Sequence, residues 1–278
     1  MISQGRTSTY AVRSSIAVAS LLLVAGCGSN DTPDSTDTPA AQSTSSAAAP
    51  RTLTVFAAAS LQKSFEEIGN SFEKAHPGVT VKFSFGGSSG LVSQLSDGAP
   101  ADVLATANES TMKKAVTEGL VTGEPTPFAS NTLQIVVPKD NPAGIRSLAD
   151  LTKPGAKVVL CAPAVPCGAA AVSVEKAAGI DIKPVSEEQA VTDVLGKVRS
   201  GEADAGLVYV TDVRGAHTTG AGDEVTGLDF AEAKSAINIY PIASLKGAKD
   251  ATLAGEFVTA ITGAEGQKVL QAAGFAAP

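Results

Sequence analysis

Apolar and polar positions along this chain repeat with two different periods, and each change of period marks an element. Leu53 to Phe56 is a short apolar run of the kind a buried strand leaves. From Leu61 the large apolar residues are Leu61, Phe65, Ile68 and Phe72, spaced by four, three and four, which predicts an amphipathic helix. Val79 to Phe85 alternates with period two and predicts a strand. Gly86 to Gly90 predicts a turn, with Leu91, Val92 and Leu95 opening the next helix. Ala101 to Ala105 is a short apolar run before a helix through Met112 and Val116. Leu133 to Val137 reads as a strand closed by Pro138, and Lys157 to Leu160 as another. A turn-rich loop from Cys161 to Gly168 then leads into an alanine-rich helix. Ser186 and Gln189 have capping-box spacing before a helix through Val191, Val194, Leu195 and Val198. Ala205 to Val210 and Ile237 to Ile242 predict strands, and Phe257 to Leu270 a last helix.

This alternation of strand and helix predicts an α/β fold with mostly parallel sheets. In such sheets ligands sit at the carboxyl ends of strands, where helix N-termini converge. Phe56 to Leu61, FAAASL, places Ser60 where a strand hands over to a helix, at the expected N-cap, beside small residues that let other backbone approach. Such a turn can seat an anion, because a helix N-terminus offers unpaired N–H groups and a partial positive charge. It can equally be a plain cap. GGSSG, Gly86 to Gly90, is a second turn of this kind. Tyr209, at the end of an apolar strand, is either a ligand group or an edge tyrosine with its hydroxyl in water.

The N-terminal part is of a different kind. Arg6 and Arg13 precede the apolar stretch Ile16 to Ala25, which is too short for a stop-transfer helix and reads as an export signal over residues 1–26. Val24-Ala25-Gly26-Cys27 resembles the lipobox of bacterial lipoproteins, in which the cysteine becomes the lipid-bearing N-terminus. Residues 27–50 are Ser, Thr, Pro, Ala and Asp with almost no large apolar side chain, the composition of a disordered tether. The chain is thus expected to sit on the outer face of the cell membrane, anchored through lipid on Cys27. Export, and the even pair left once Cys27 is lipidated, predict a Cys161–Cys167 disulfide.

The formal charge is −7, and losing the two leader arginines takes it to −9, which argues against nucleic acid as a partner. The absence of Trp weighs against a sugar ligand. His76 and His217 have no His or Cys at ligand spacing, so no metal site is expected from side chains. GGSSG also matches the G-x-S-x-G nucleophile elbow. A serine hydrolase would then need His217, expected in a Gly/Thr-rich loop, with Asp212 or Asp223 as its acid.

Five stretches carry a family resemblance that covers essentially the whole chain after the tether: TVFAAASL (Thr54 to Leu61), FGGSSGLVSQL (Phe85 to Leu95), GAPADV (Gly98 to Val103), VPCG (Val165 to Gly168) and GLVY (Gly206 to Tyr209). Together they resemble the periplasmic molybdate-binding proteins of bacterial ABC importers. The resemblance implies a two-lobed type II periplasmic-binding-protein fold with a ligand cleft between the lobes, residues 51–133 plus 238–278 forming one and 134–237 the other. It implies a monomer that is not an enzyme, uses no cofactor, captures molybdate or tungstate and delivers it to a membrane permease. Matched motif by motif, Ser60 and Ser88 would be the side-chain donors of one lobe. Cys167 and Val191 would supply backbone N–H groups from the other, and Tyr209 its phenol. Relatives carry a run of serines where this chain has GGSSG, so Ser89 could replace Ser88, and many carry alanine at Cys167. Another tetrahedral oxyanion such as sulfate is the alternative ligand within this class.

Overall fold

The computed structural model describes residues 50–218 and 224–278; the export signal, Cys27, nearly all of the tether and Asp223 lie outside them. The first sheet contains β1 (Arg51–Ala58), β2 (Val79–Gly86), β3 (Val103–Ala105), β4 (Val121–Asn131) and β10 (Asn238–Leu245), in the order β2-β1-β3-β10-β4. The second contains β5 (Leu133–Pro138), β6 (Val158–Cys161), β7 (Ser186–Glu188), β8 (Ala205–Tyr209) and β9 (Val225–Leu228), in the order β7-β6-β8-β5-β9. Helices α1 (Gln62–Ala75), α2 (Ser88–Ser96), α3 (Glu109–Thr117), α7 (Ala251–Thr262) and α8 (Ala264–Ala273) belong to the first lobe. Helices α4 (Pro166–Ala178), α5 (Val191–Arg199) and α6 (Val210–Thr218) belong to the second.

The core explains why these residues form these elements. β1 lies between two parallel neighbours, and Phe56, Ala57 and Ala58 are all buried rather than alternating, as expected for a strand covered on both faces. α1 turns Phe65, Ile68 and Phe72 inward, the face its spacing predicts. Phe65 packs against Phe83, Phe128 and Phe257 with ring centroids 5.8–6.4 Å apart, joining α1, β2, β4 and α7 in one aromatic cluster. The chain passes from the first sheet to the second at Thr132, between β4 and β5, and returns between β9 and β10. No helix of the described residues is long and apolar enough to cross a membrane.

Four expectations change. The sheets are mixed rather than mostly parallel: β1, β2 and β3 run together, but β10 returns from the second lobe between β3 and β4, antiparallel to both. The helix expected over Phe257 to Leu270 is two, broken where Gly263 adopts extended backbone (φ −76°, ψ 170°). Ser186 does not open a capping box. Ser186 to Glu188 is instead an edge strand paired in parallel with β6, the Ser186 hydroxyl lies 2.6 Å from the Glu188 carboxylate, and α5 starts later, at Val191. His217 lies near the end of α6 rather than in a loop. β4 escapes the periodicity because it contains Gly123, Pro125 and Pro127, which an edge strand tolerates where a central one does not.

Phe257 is fully buried and meets Phe65, Phe72 and Phe83. Phe257→Ala is expected to cost about 3–5 kcal/mol of unfolding free energy, measured as a lowered urea midpoint at unchanged slope.

Candidate functional site

Ser60 comes from the 3-10 turn after β1, Ser88, Cys167 and Val191 from the first turns of α2, α4 and α5, and Tyr209 from the end of β8, and all five line a single cavity of about 20 Å³. That space is far below the ~300–1,000 Å³ typical of organic ligands. It lies at the carboxyl ends of β1 and β2 in the first lobe and of β6 and β8 in the second. Among the described residues, no ionisable side chain apart from the Tyr209 phenol lines it.

On the first-lobe side, Ser60 is not an N-cap. β1 passes into a short 3-10 turn, Ala59–Leu61, and α1 follows directly, so Ser60 sits inside the turn. Its hydroxyl is 3.0 Å from the Tyr240 hydroxyl. Ser88 is the first residue of α2 and is 1% exposed. Its Oγ accepts the Ala107 N–H at 3.0 Å, so its own hydrogen is left to donate toward the cavity. Ser89 points elsewhere and donates to the Ala164 carbonyl of the second lobe at 2.7 Å.

The second lobe presents helix ends. In α4, Pro166 occupies the first turn and the Ala169 N–H bonds back to Val165 at 2.9 Å, so the Cys167 N–H has no partner inside the helix. Cys167 is joined to Cys161 by a disulfide, which ties the start of α4 to the end of β6. Val191 is the first residue of α5, after an extended Ala190 that supplies no side-chain cap. The first turns of α2, α4 and α5 and the 3-10 turn leading into α1 therefore all face the same small space.

Tyr209 is buried, not an edge tyrosine reaching water. Asn238 Nδ2 donates to the Tyr209 hydroxyl at 2.9 Å and to the Ala107 carbonyl at 2.7 Å. The Tyr240 ring stands edge-on to Tyr209 at 5.9 Å. Burial, first of all, pushes both phenols well above the usual tyrosine range, so both stay neutral donors. Periodicity gave no sign of Tyr240 and Asn238, although they lie two apart on β10 and therefore on one face of it. The one available signal was that Tyr240 is the only tyrosine besides Tyr209 beyond the export signal.

Ser60 also borders a larger crevice of about 520 Å³, whose walls carry Lys63, Arg199 and Arg214 along with Glu67 and Asp212. Lys63 donates to the Gly215 carbonyl, linking α1 to α6. The buried Asp212 carboxylate accepts the Tyr209 N–H at 2.9 Å, and burial pushes its pKa up to about 7. The arrangement does not build a hydrolase: His217 is exposed on α6 and is not among the described residues that line the cavity holding Ser88.

Residues 53–276 match the model of the bacterial extracellular solute-binding protein family. The chain is 47% identical over 267 residues to the molybdate-binding protein ModA of Mycobacterium tuberculosis, covering 95% of this chain and 98% of that one. Among solved structures it resembles the periplasmic molybdate-binding protein of Azotobacter vinelandii, with TM-score 0.70 and 22% identity over 81% of this chain and 99% of that one. The sulfate-binding protein SubI of Mycobacterium tuberculosis shares the fold at TM-score 0.67 and 21% identity, over 82% and 87%.

Asp212 yields a pH prediction. Its carboxyl titrates near 7 when folded and near the ordinary ~3.9 when unfolded. Between those values the unfolded chain binds fewer protons, so this group lowers stability as pH rises from about 4 to 7 and contributes no further slope above. Asp212→Asn keeps an acceptor for the Tyr209 N–H and removes the titration. Its stability relative to wild type is expected to improve by a few kcal/mol across that window and then level off, read from urea unfolding at a series of pH values.

Proposed function

We propose that this chain, which belongs to the bacterial extracellular solute-binding protein family, captures a tetrahedral oxyanion, molybdate or tungstate, for an importer. The observation that carries the reading is the convergence of five neutral donors, from two lobes, on one cavity to which the described residues bring no side-chain charge. Ser60, Ser88 and Tyr209 would donate through hydroxyls, and Cys167 and Val191 through backbone N–H groups. The two lobes, residues 51–133 with 238–278 and residues 134–237, would close on the anion as a monomer. The anion would pass to the permease of an ABC importer. Cys27, at the lipobox-like Val24-Ala25-Gly26-Cys27, would carry the lipid, with residues 28–50 as a tether to the outer face of the membrane.

The energetics are consistent with such a site. Five hydrogen bonds to a charged acceptor, at about 1.5–3 kcal/mol each, sum to about 8–15 kcal/mol before costs. Each helix N-terminus adds about 0.3–1 kcal/mol. Nanomolar affinity requires about 12 kcal/mol, so neutral donors suffice when they are held in place beforehand. The hydroxyl network does that holding here: Tyr209 is fixed by Asn238, Ser60 by Tyr240 and Ser88 by Ala107. Selection among tetrahedral anions would rest on size, since molybdate and tungstate have longer bonds than sulfate. Hydrogen phosphate also brings a proton that a cavity of donors does not accept.

A thermal-shift comparison tests the ligand. Molybdate and tungstate at a hundred times their dissociation constant are expected to add about 2.7 kcal/mol of stability, with much smaller shifts from sulfate and phosphate at the same concentration. Equal shifts from all four, or none, would discard the reading, and a shift from sulfate alone would favour the other oxyanion.

Val191 tests backbone recognition. Ala190 is already extended (φ −140°, ψ 149°), as a residue before proline must be, and proline is favoured at the first position of a helix. Val191→Pro should therefore fold while losing one N–H, weakening molybdate binding about ten- to a hundredfold. Val191→Ala should bind nearly as wild type. Calorimetry on the two variants decides, and a folded Val191→Pro with wild-type affinity would remove Val191 from the site.

A further inference from the structure

We infer that Gly87 sets how closely the two lobes can approach, and that a side chain at this position holds the ligand cleft open. Gly87 joins β2 to α2 with φ −63° and ψ 128°, backbone that any residue adopts without strain, so its local conformation does not call for glycine. The requirement comes from across the cleft. A Cβ on Gly87 would lie 1.9 Å from the carbonyl oxygen of Gln189 and 3.0 Å from its carbonyl carbon. Gln189 belongs to the second lobe and directly precedes Ala190, the cap of α5. The obstacle is backbone on both sides, so no rotamer change relieves it. Reaching an ordinary contact requires the lobes to part by about 1 Å or more at this point.

The position makes that gap costly for binding. Gly87 precedes Ser88, and Gln189 lies two residues before Val191, so the contact joins the start of α2 to the start of α5. Both starts line the small cavity. Parting them moves the donors of one lobe away from those of the other. The same approach is held one step along by the Ser89 hydroxyl on the Ala164 carbonyl, and on the other flank by Lys63 on Gly215. With the lobes apart, Gly87 and Gln189 do not meet, and a methyl group at 87 costs nothing. A substitution there therefore acts on closure alone, and a ligand that needs the closed form binds more weakly in proportion to the closed fraction lost.

The inference rests on the oxyanion reading, and the experiment keeps the two apart. Wild type, Gly87→Ala, Gly87→Val and Gly90→Ala are compared as the mature chain, the last being a control because open space surrounds a Cβ at Gly90. Molybdate affinity is measured by calorimetry, compaction by small-angle X-ray scattering with and without molybdate, and melting without ligand. Wild type and Gly90→Ala are expected to compact and bind alike. Both Gly87 variants are expected to melt like wild type without ligand, fail to compact fully, and bind at least about tenfold more weakly, the equivalent of one hydrogen bond to a charged group. Gly87 variants that bind and compact like wild type would overturn the inference and leave the oxyanion reading standing. Gly87 variants already destabilised without ligand would also overturn it, since the contact would then belong to the free fold. If wild type neither binds nor compacts with molybdate, tungstate, sulfate or phosphate, both readings fall together.

Discussion

Helix N-termini that face inward leave N–H groups that the helix itself cannot satisfy, and the rest of this molecule is arranged around that constraint. The first turns of α2, α4 and α5, with the turn into α1, all open on one cavity of about 20 Å³. Unpaired donors in a buried space are unfavourable until something accepts from them. Their summed partial charge is positive although the chain as a whole carries formal charge −7. An anion small enough to enter satisfies both conditions at once. A lysine or arginine in the wall would add attraction but would itself need a partner whenever the site was empty.

Neutral donors hold a charge only if they do not have to reorganise to do so. That task falls to a polar layer behind the cavity. Asn238 donates to Tyr209 and to the Ala107 carbonyl, the Ala107 amide donates to Ser88, and Tyr240 meets Ser60. β10 supplies both Asn238 and Tyr240, and it begins where the chain re-enters the first lobe. The strand that returns the chain is therefore also the strand that orients hydroxyls from both lobes. Asp212 completes the arrangement from the second lobe by holding the Tyr209 amide at the start of α6.

Much of this architecture was legible beforehand, for a physical reason that can be stated element by element. Leu61, Phe65, Ile68 and Phe72 announce α1, and Val79 to Phe85 announces β2, because the side chains that must be buried recur with the period of the backbone that carries them. The small-residue turns around Ser60, Ser88 and Cys167 mark places where backbone comes close to something else, and all three line the cavity. The resemblance to binding proteins drew on these same turns.

What the sequence could not determine is which distant segments meet. Ser60 and Tyr240 are 180 residues apart, and no local period records that their hydroxyls lie 3.0 Å from each other. Gly87 looks like an ordinary turn glycine in GGSSG, and only its approach to the Gln189 carbonyl gives it a separate reason. The antiparallel course of β10, the edge pairing of Ser186 to Glu188 and the buried setting of Tyr209 follow from the same source. Periodicity reports which face of an element is buried. Tertiary structure alone decides what that face is buried against, because non-local contacts depend on how the chain crosses between lobes.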